Sequence, residues 1–427
     1  MSELDAKAFL TALFDAAVAA ADPEITIRDH LPARPKGRTI VVGAGKGAAQ
    51  MAAAFEKAWD GPLEGTVVTR YGYAAPCDRI EVLEAAHPVP DQAGLAAARR
   101  LMERVSGLCE DDLVVALICG GGSALLPAPA GELTLDDEIA VNRALLASGA
   151  PIAAMNAVRK HVSAIKGGRL AAAAYPARVV TLVVSDIPGD DPALVASGPT
   201  VPDQTTREDA LAIVAAYAMK LPAAVMAHLA SPGADAPRPD DPRFSRNTVA
   251  VIASAARSLE AAAETAGVQG IAAVILSDSI EGEARDVGVV HAAIAREVAA
   301  KDRPFTKPVV ILSGGETTVT LRGASGGRVV GRGGRNSEFL LSFALCIDGL
   351  AGIEALAADT DGIDGSEDNA GAFADGTSVS RMRAAGLDAR AALAGNDAFT
   401  AFAAAGDLFS PGPTGTNVND FRAILVR

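Results

Sequence analysis

The sequence predicts an α/β protein made of two Rossmann-like α/β/α domains. Three observations carry that prediction. Short β-branched runs without polar alternation, Ile40-Val41-Val42, Leu113 to Ile118 and Val179 to Val184, suit strands buried on both faces. Each run breaks into a turn rich in glycine or acid, as strands that lead into helices do. A proline-rich stretch, 231–246, then divides the chain, and a second strand–helix series follows it. With 427 residues, 50% hydrophobic and 21% charged, the chain can build two or three sizeable cores. Aromatics make up only 4%, so those cores rest on Ala, Val, Leu and Ile.

Residues 3–21 read as an amphipathic helix with Phe9, Leu10, Leu13, Phe14 and Val18 on one stripe. The strand at 40–42 runs into Gly43, Gly45 and Gly47, with Lys46 inside the turn, and then into an Ala-rich helix ending near Trp59. Glycines ahead of a helix present backbone N–H groups at its positive end, where a phosphate or carboxylate can sit. The bland alternative is a tight turn whose glycines only permit close packing. The pattern also fits a relaxed dinucleotide fingerprint, but the next strand, Thr66 to Thr69, leads to Arg70 rather than to a ribose-binding acid. Arg70 would suit only a 2′-phosphate.

A short apolar segment at 80–83 precedes His87-Pro88-Val89-Pro90-Asp91, where Asp91 caps a helix and His87 is either a turn residue or part of a substrate lining. After the strand 113–118, Gly120-Gly121-Gly122-Ser123 repeats the logic of the first loop, with amides and a hydroxyl open to an oxyanion. A helix from about Thr134 carries Asp136, Asp137 and Glu138 in its first turn. Residues 156–170 are locally basic, and for Arg159 and Lys160 a solvated helix face is expected. The strand 179–184 delivers Asp186, Asp190 and Asp191 to its C-terminal end, where open α/β sheets place their chemistry.

Beyond the proline-rich stretch, strands are expected near 248–253, 271–276 and 309–312, with helices near 254–266, 283–299 and 339–347. The last strand ends in Gly314-Gly315-Glu316, and a run from Gly326-Gly327-Arg328 to Arg332, Arg335, Asn336 and Glu338 follows. Arginines set between glycines can reach phosphate oxygens bidentately. Asp361 and Asp364 read either as Mg²⁺ ligands or as an Asp-Gly turn pair.

The net charge of −14 argues against nucleic acid and anionic membrane as partners. The four cysteines, Cys77, Cys109, Cys119 and Cys346, form no metal-type pair, and reduced thiols in a cytoplasmic protein are expected. The first residues do not read as a signal peptide, and no apolar run reaches membrane-span length.

Taken together, Gly43 to Ala48, His87 to Asp91, Gly120 to Leu125, Ser185 to Asp191 with Ser197 to Thr200, Gly331 to Glu338, Asp361 to Gly365 and Gly415 to Asp420 resemble the type II glycerate kinases. The likeness runs in order through essentially the whole chain. It implies a glycerate kinase N-terminal α/β domain over 1–235, whose first helix is free to pack elsewhere. It implies a C-terminal α/β domain over 236–427 that contains a MOFRL region at about 308–422, with the active site in a cleft between the two. The implied reaction is ATP-dependent phosphorylation of D-glycerate, at the 2-hydroxyl, with Mg²⁺. A homodimer is one option for its assembly.

By the same resemblance, the catalytic lysine falls on Lys46, the arginine on Arg335 with Arg332 as its rival, and the acid on Asp190 or Asp186. Gly43, Gly45, Gly47, Gly120, Gly121, Gly122, Ser123, Gly314, Gly315 and Glu316 would hold nucleotide phosphates. His87, Ser197, Arg332, Asn336 and Asn417 would line the substrate, and Asp361 with Asp364 would hold the metal. Chains of this kind have also been called hydroxypyruvate reductases, so an NADP-dependent reductase using the 43–48 turn and Arg70 is the competing expectation.

Overall fold

Strands β1 (Thr39–Ala44), β2 (Glu64–Arg70), β3 (Ile80–Ala85), β4 (Leu113–Cys119), β5 (Arg178–Val184) and β6 (Thr248–Ala253) form one sheet, ordered β3-β2-β1-β4-β5-β6. β1 runs parallel to β2 and β4, as do β2 to β3 and β4 to β5. β1 and β4 are buried along their whole length, as their apolar runs require. The chain reverses its direction of travel across the sheet between these two neighbours. Their C-terminal ends therefore flank the crevice in which sheets of this order bind ligands. The structure is a computed structural model, and it describes residues 5–187, 189–321 and 331–427. Pro188 and the glycine–arginine run at 326–328 lie outside the described residues.

The helix Ala48–Ala58 buries Met51, Ala52 and Phe55, and the helix Gln92–Arg104 starts on Asp91, whose side chain accepts the Gly94 N–H. Four further helices, Leu135–Ala147, Ile152–His161, Arg207–Ala216 and Ala223–Leu229, bury a separate apolar cluster that includes Val141, Leu145, Val158, Val214 and Leu229. Here the basic stretch departs from its expected solvated face. Lys160 is buried and donates to Asp203 at 3.2 Å, and Lys166 is buried and donates to Glu138 at 2.5 Å. Arg159 donates to Asn142 at 2.9 Å. These cations turn inward rather than to solvent, and each is paired with an acceptor there.

The chain divides into two compact units, Pro23–Ile252 and Ala253–Arg427, the second joined by the N-terminal residues up to Asp22. The proline-rich 231–246 stretch belongs to the first unit, where Arg169 holds it by donating to the carbonyls of Ala234 and Asp235, both at 3.0 Å.

In the second unit, β7 (Ala272–Ser277), β9 (Val309–Gly315), β11 (Ile353–Asp359), β12 (Gly371–Asp375), β13 (Leu408–Phe409) and β14 (Asp420–Val426) form a sheet ordered β13-β12-β11-β14-β9-β7. The short strands β8 (Gly282–Glu283) and β10 (Thr317–Thr318) pair apart from it. β7 runs parallel to β9, whereas the β9–β14, β14–β11, β11–β12 and β12–β13 pairs are antiparallel. Both faces of this sheet are covered. Val309, Ile311, Ala355, Ala357 and Ile424 share a core with helices Ala284–Lys301 and Arg335–Cys346. Their neighbours Val310, Leu312, Leu356, Ala358 and Ala423 share another with helices Ala6–Ala19 and Ala255–Val268. Phe14 of the first helix meets Phe409 edge-on at 5.0 Å and Phe421 at 5.8 Å. Among the described residues, no helix is long and apolar enough to cross a membrane.

Candidate active site

The loop after β1 is held against the end of β4. Gly45 takes φ +140°, and a Cβ there would overlap the Cys119 side chain and carbonyl. Its amides are in use: Gly45 N–H donates to Val68 O at 3.2 Å, Lys46 N–H to Gly120 O at 2.8 Å and Gly47 N–H to Cys119 Sγ at 3.2 Å. Thr69 Oγ1 donates to Lys46 O at 2.9 Å. The backbone is thus fixed on both sides of Lys46, and what the loop presents is the lysine side chain. Burial pushes the Cys119 thiol up to about 12, so it is an inert packing group.

The loop after β4 behaves differently. Gly121 takes φ +79°, and a Cβ there would stand 3.0 Å from Lys46 Cγ and 3.1 Å from His87 Nε2. A Cβ on Gly120 would overlap the Asp186 carboxylate. Lys46, His87, Gly120, Gly121 and Asp186 therefore converge at the β1/β4 crevice. Among the described residues, the Gly121, Gly122 and Ser123 amides donate to no backbone carbonyl outside their own helix. Burial, with Lys46 and Arg70 adding repulsion, lowers the His87 pKa to about 4, so its imidazole is neutral at pH 7. Asp190 lies farther along the loop at φ +53°, its N–H donating to Ile187 O at 3.1 Å.

In the second unit, three strand ends lie side by side: Gly315 is in register with Asp420, and Asp420 with Asp359. Arg335 opens the helix that follows and spans both carboxylates, Nε to Asp420 Oδ1 and Nη2 to Asp359 Oδ2, each at 2.6 Å. Burial works against the guanidinium charge, but Asp420 and Asp359 outweigh it and raise the Arg335 pKa. Asp359 is raised as well, by burial first and by Asp361 and Asp420 next, which Arg335 only partly offsets. Asp420 also accepts from Asn336 Nδ2 at 2.9 Å and pairs with the fully buried Arg422. Asp364 is fully buried, and its two oxygens accept the N–H groups of Asn336 at 2.9 Å and Ser337 at 2.8 Å. It acts as a cap on the helix Arg335–Cys346.

Two family models match the chain: a domain of unknown function (DUF4147) over residues 9–230, and the MOFRL family over residues 309–420. A D-glycerate 2-kinase from Thermotoga maritima is 39% identical over 93% of this chain and 93% of its own length. The crystal structure of a glycerate kinase from the same organism superposes with a TM-score of 0.89 at 37% identity, covering 99% of each chain. The chain belongs to the type II glycerate kinase family. A relative from Agrobacterium vitis, 54% identical over 100% of this chain and 95% of its own length, is provisionally described as a hydroxypyruvate reductase.

Gly43 and Gly45 are close-packed, a Cβ on Gly43 standing 2.6 Å from Leu117 O, whereas a Cβ on Gly47 would meet only Cys119 Sγ at 3.7 Å; the turn's amides are engaged. Gly314 and Gly315 are likewise packing positions. Gly315 takes φ +118° against the Ile280 backbone, whose N–H donates to Gly314 O at 3.0 Å, while Glu316 is exposed. Ser197 and Asn336 are fully buried. Arg332 is a surface residue that pairs with Glu367 and lies over the Phe399 ring at 4.3 Å. Of the two aspartates offered as metal ligands, Asp364 is spent as the helix cap. Asp361 remains partly exposed, holding the Ile363 N–H at 2.8 Å and Asn417 Nδ2 at 3.3 Å. Sequence reasoning assigned no role to Asp359, Asp420 or Asn156. For Asp359 the signal was an acid at the edge of an apolar run, Ala357-Ala358-Asp359, and Asp420 closed one of the motifs that carry the resemblance.

Proposed function

We propose that this chain transfers the γ-phosphoryl group of ATP to the 2-hydroxyl of D-glycerate. The observation that carries this reading is the convergence of Lys46, the Gly120–Gly121 backbone and Asp186 at the β1/β4 crevice. Phosphoryl transfer asks a protein for positioning and for cations near the moving group rather than for covalent chemistry. Lys46 supplies mobile positive charge, and the amides after β4 supply fixed donors. Asp186 is placed to accept the proton of the attacking hydroxyl. Within the second unit, the Arg335 guanidinium is held by Asp420 and Asp359. Among the described residues no group of three or more metal-ligating side chains exists. The resemblance offers Asp361 as a ligand for Mg²⁺. Bound there, Mg²⁺ would offset phosphate charge.

The reductase reading is poorly supported at the same place. A dinucleotide pyrophosphate needs free amides after β1, and those are engaged. Arg70, its candidate for a 2′-phosphate, lies over the Tyr73 ring at 3.5 Å. The test runs D-glycerate with ATP and Mg²⁺, and hydroxypyruvate with NADPH, on one preparation. Product that enolase consumes directly identifies 2-phosphoglycerate. NADPH oxidation without ADP release would reject the kinase reading.

A further inference from the structure

A chain of hydrogen bonds with a determined direction ends at Ser123. Asn156 is buried in the helix Ile152–His161, and its carboxamide is oriented from both sides. Its Nδ2 lies 3.0 Å from Leu194 O, which can only accept, and its Oδ1 lies 3.2 Å from Arg159 Nη1, which can only donate. Ser197 Oγ is 2.9 Å from that same Oδ1, so the serine must donate to it. Its single proton is then spent. Ser123 Oγ stands 2.6 Å from Ser197 Oγ, and with Ser197 unable to give a second proton, Ser123 must be the donor. Ser123 is left with lone pairs only. The chain's middle is held in place at a conformational cost: Ala196 and Ser197 are consecutive non-glycine residues at φ +52° and +60°. Ser123 itself is partly exposed, on the loop that meets Lys46 and His87.

An oxygen with no proton to give cannot donate to a phosphate, but it can accept from a hydroxyl. We infer that Ser123 accepts a hydrogen bond from the hydroxyl of the acceptor substrate that is not phosphorylated, with Ser197, Asn156 and Arg159 as positioning residues that keep it an acceptor. This rests on the glycerate kinase reading above. There, the proton of the reacting 2-hydroxyl goes to the carboxylate base, which leaves the 3-hydroxyl as the group with a proton to offer. Ser123 thus moves from phosphate holder to reader of the substrate's second hydroxyl.

D-lactate, which has the 2-hydroxyl but no 3-hydroxyl, provides the test. In the wild type, kcat/KM should favour D-glycerate over D-lactate. Ser123→Ala should raise the KM for D-glycerate about tenfold, the scale of one neutral hydrogen bond, with the KM for ATP unchanged and the preference over D-lactate largely lost. Asn156→Asp keeps an acceptor for Ser197 and should preserve the preference, whereas Asn156→Leu should lose it. Ser123→Ala raising the KM for ATP instead, or leaving the glycerate/lactate ratio intact, overturns the inference while the kinase reading stands. A wild type that forms no phosphoglycerate rejects both.

Discussion

Lys46 carries the demand for charge in the first unit, and its backbone is tied at its N–H and its C=O. Lys46→Ala should therefore leave the fold intact, by circular dichroism, while turnover falls by about 10²- to 10⁴-fold, as for other electrostatic catalytic groups. A variant that keeps more than half of wild-type activity would show that the turn serves packing alone. The two candidate bases separate in the same assay. Asp186 lies on Gly120, beside Lys46, whereas Asp190 lies farther along the loop, so Asp186→Asn should cost about a hundredfold or more and Asp190→Asn about tenfold or less. The reverse order would move the base to Asp190. Lys46 and Arg335 stood out in the sequence as cations beside glycines, an expectation that the variants test. Asp420 and Asn156 did not. Asp420 acquires its role only when β14 sets it in register between Gly315 and Asp359, and Asn156 only when a distant turn brings Ser197 to its carboxamide.

At the level of elements, buried strands were legible from their apolar runs, and helix starts from their caps, as Asp91 and Thr134 show. Strand direction was not. β11 and β14 are buried throughout or nearly so, like the parallel β1 and β4, and hydrophobicity does not record which way a buried strand runs. The first helix shows what packing decides. Phe14 lies on the second unit's sheet, so Phe14→Ala should destabilise that unit by about 3–5 kcal/mol, with hydrogen exchange accelerating in β11 and β14 rather than in β1. Exchange rising in β1 alone would contradict this placement. The helix Ala284–Lys301 adds a pH dependence. His291 bonds Val287 O at 2.9 Å and Ser313 Oγ at 3.0 Å, and burial lowers its pKa to about 4. The unfolded imidazole takes its proton near 6.5 and the folded one near 4. Its contribution is therefore complete above pH 6.5 and is lost as pH falls from 6.5 towards 4, on the order of 2–3 kcal/mol. Urea midpoints at pH 7.5 and 4.5 should differ more for the wild type than for His291→Gln. Equal differences would assign the acid sensitivity elsewhere.

For the whole molecule, the net charge of −14 makes the placement of cations informative. The unit Pro23–Ile252 holds Lys46, and the unit that includes Ala253–Arg427 holds Arg335. The resemblance to the glycerate kinases implies that both act on one transferred phosphoryl group. Groups that act as one set on one transition state are strongly non-additive, because losing either already forfeits most of what the pair stabilises. Lys46→Ala and Arg335→Gln should each reduce kcat by at least about a hundredfold, and the double variant should be no worse than about tenfold below the poorer single one. Arg335 also neutralises the buried Asp359 and Asp420, so its loss leaves charge uncompensated, and that is destabilising in its own right. The cycle is therefore read on protein whose melting curve shows it folded at the assay temperature, with Arg335→Lys included to keep the charge while removing the two-pronged bond. If Arg335→Gln folds and retains most of its turnover, the second unit's arginine is a brace for its own carboxylates. The chemistry would then belong to the Lys46 unit alone.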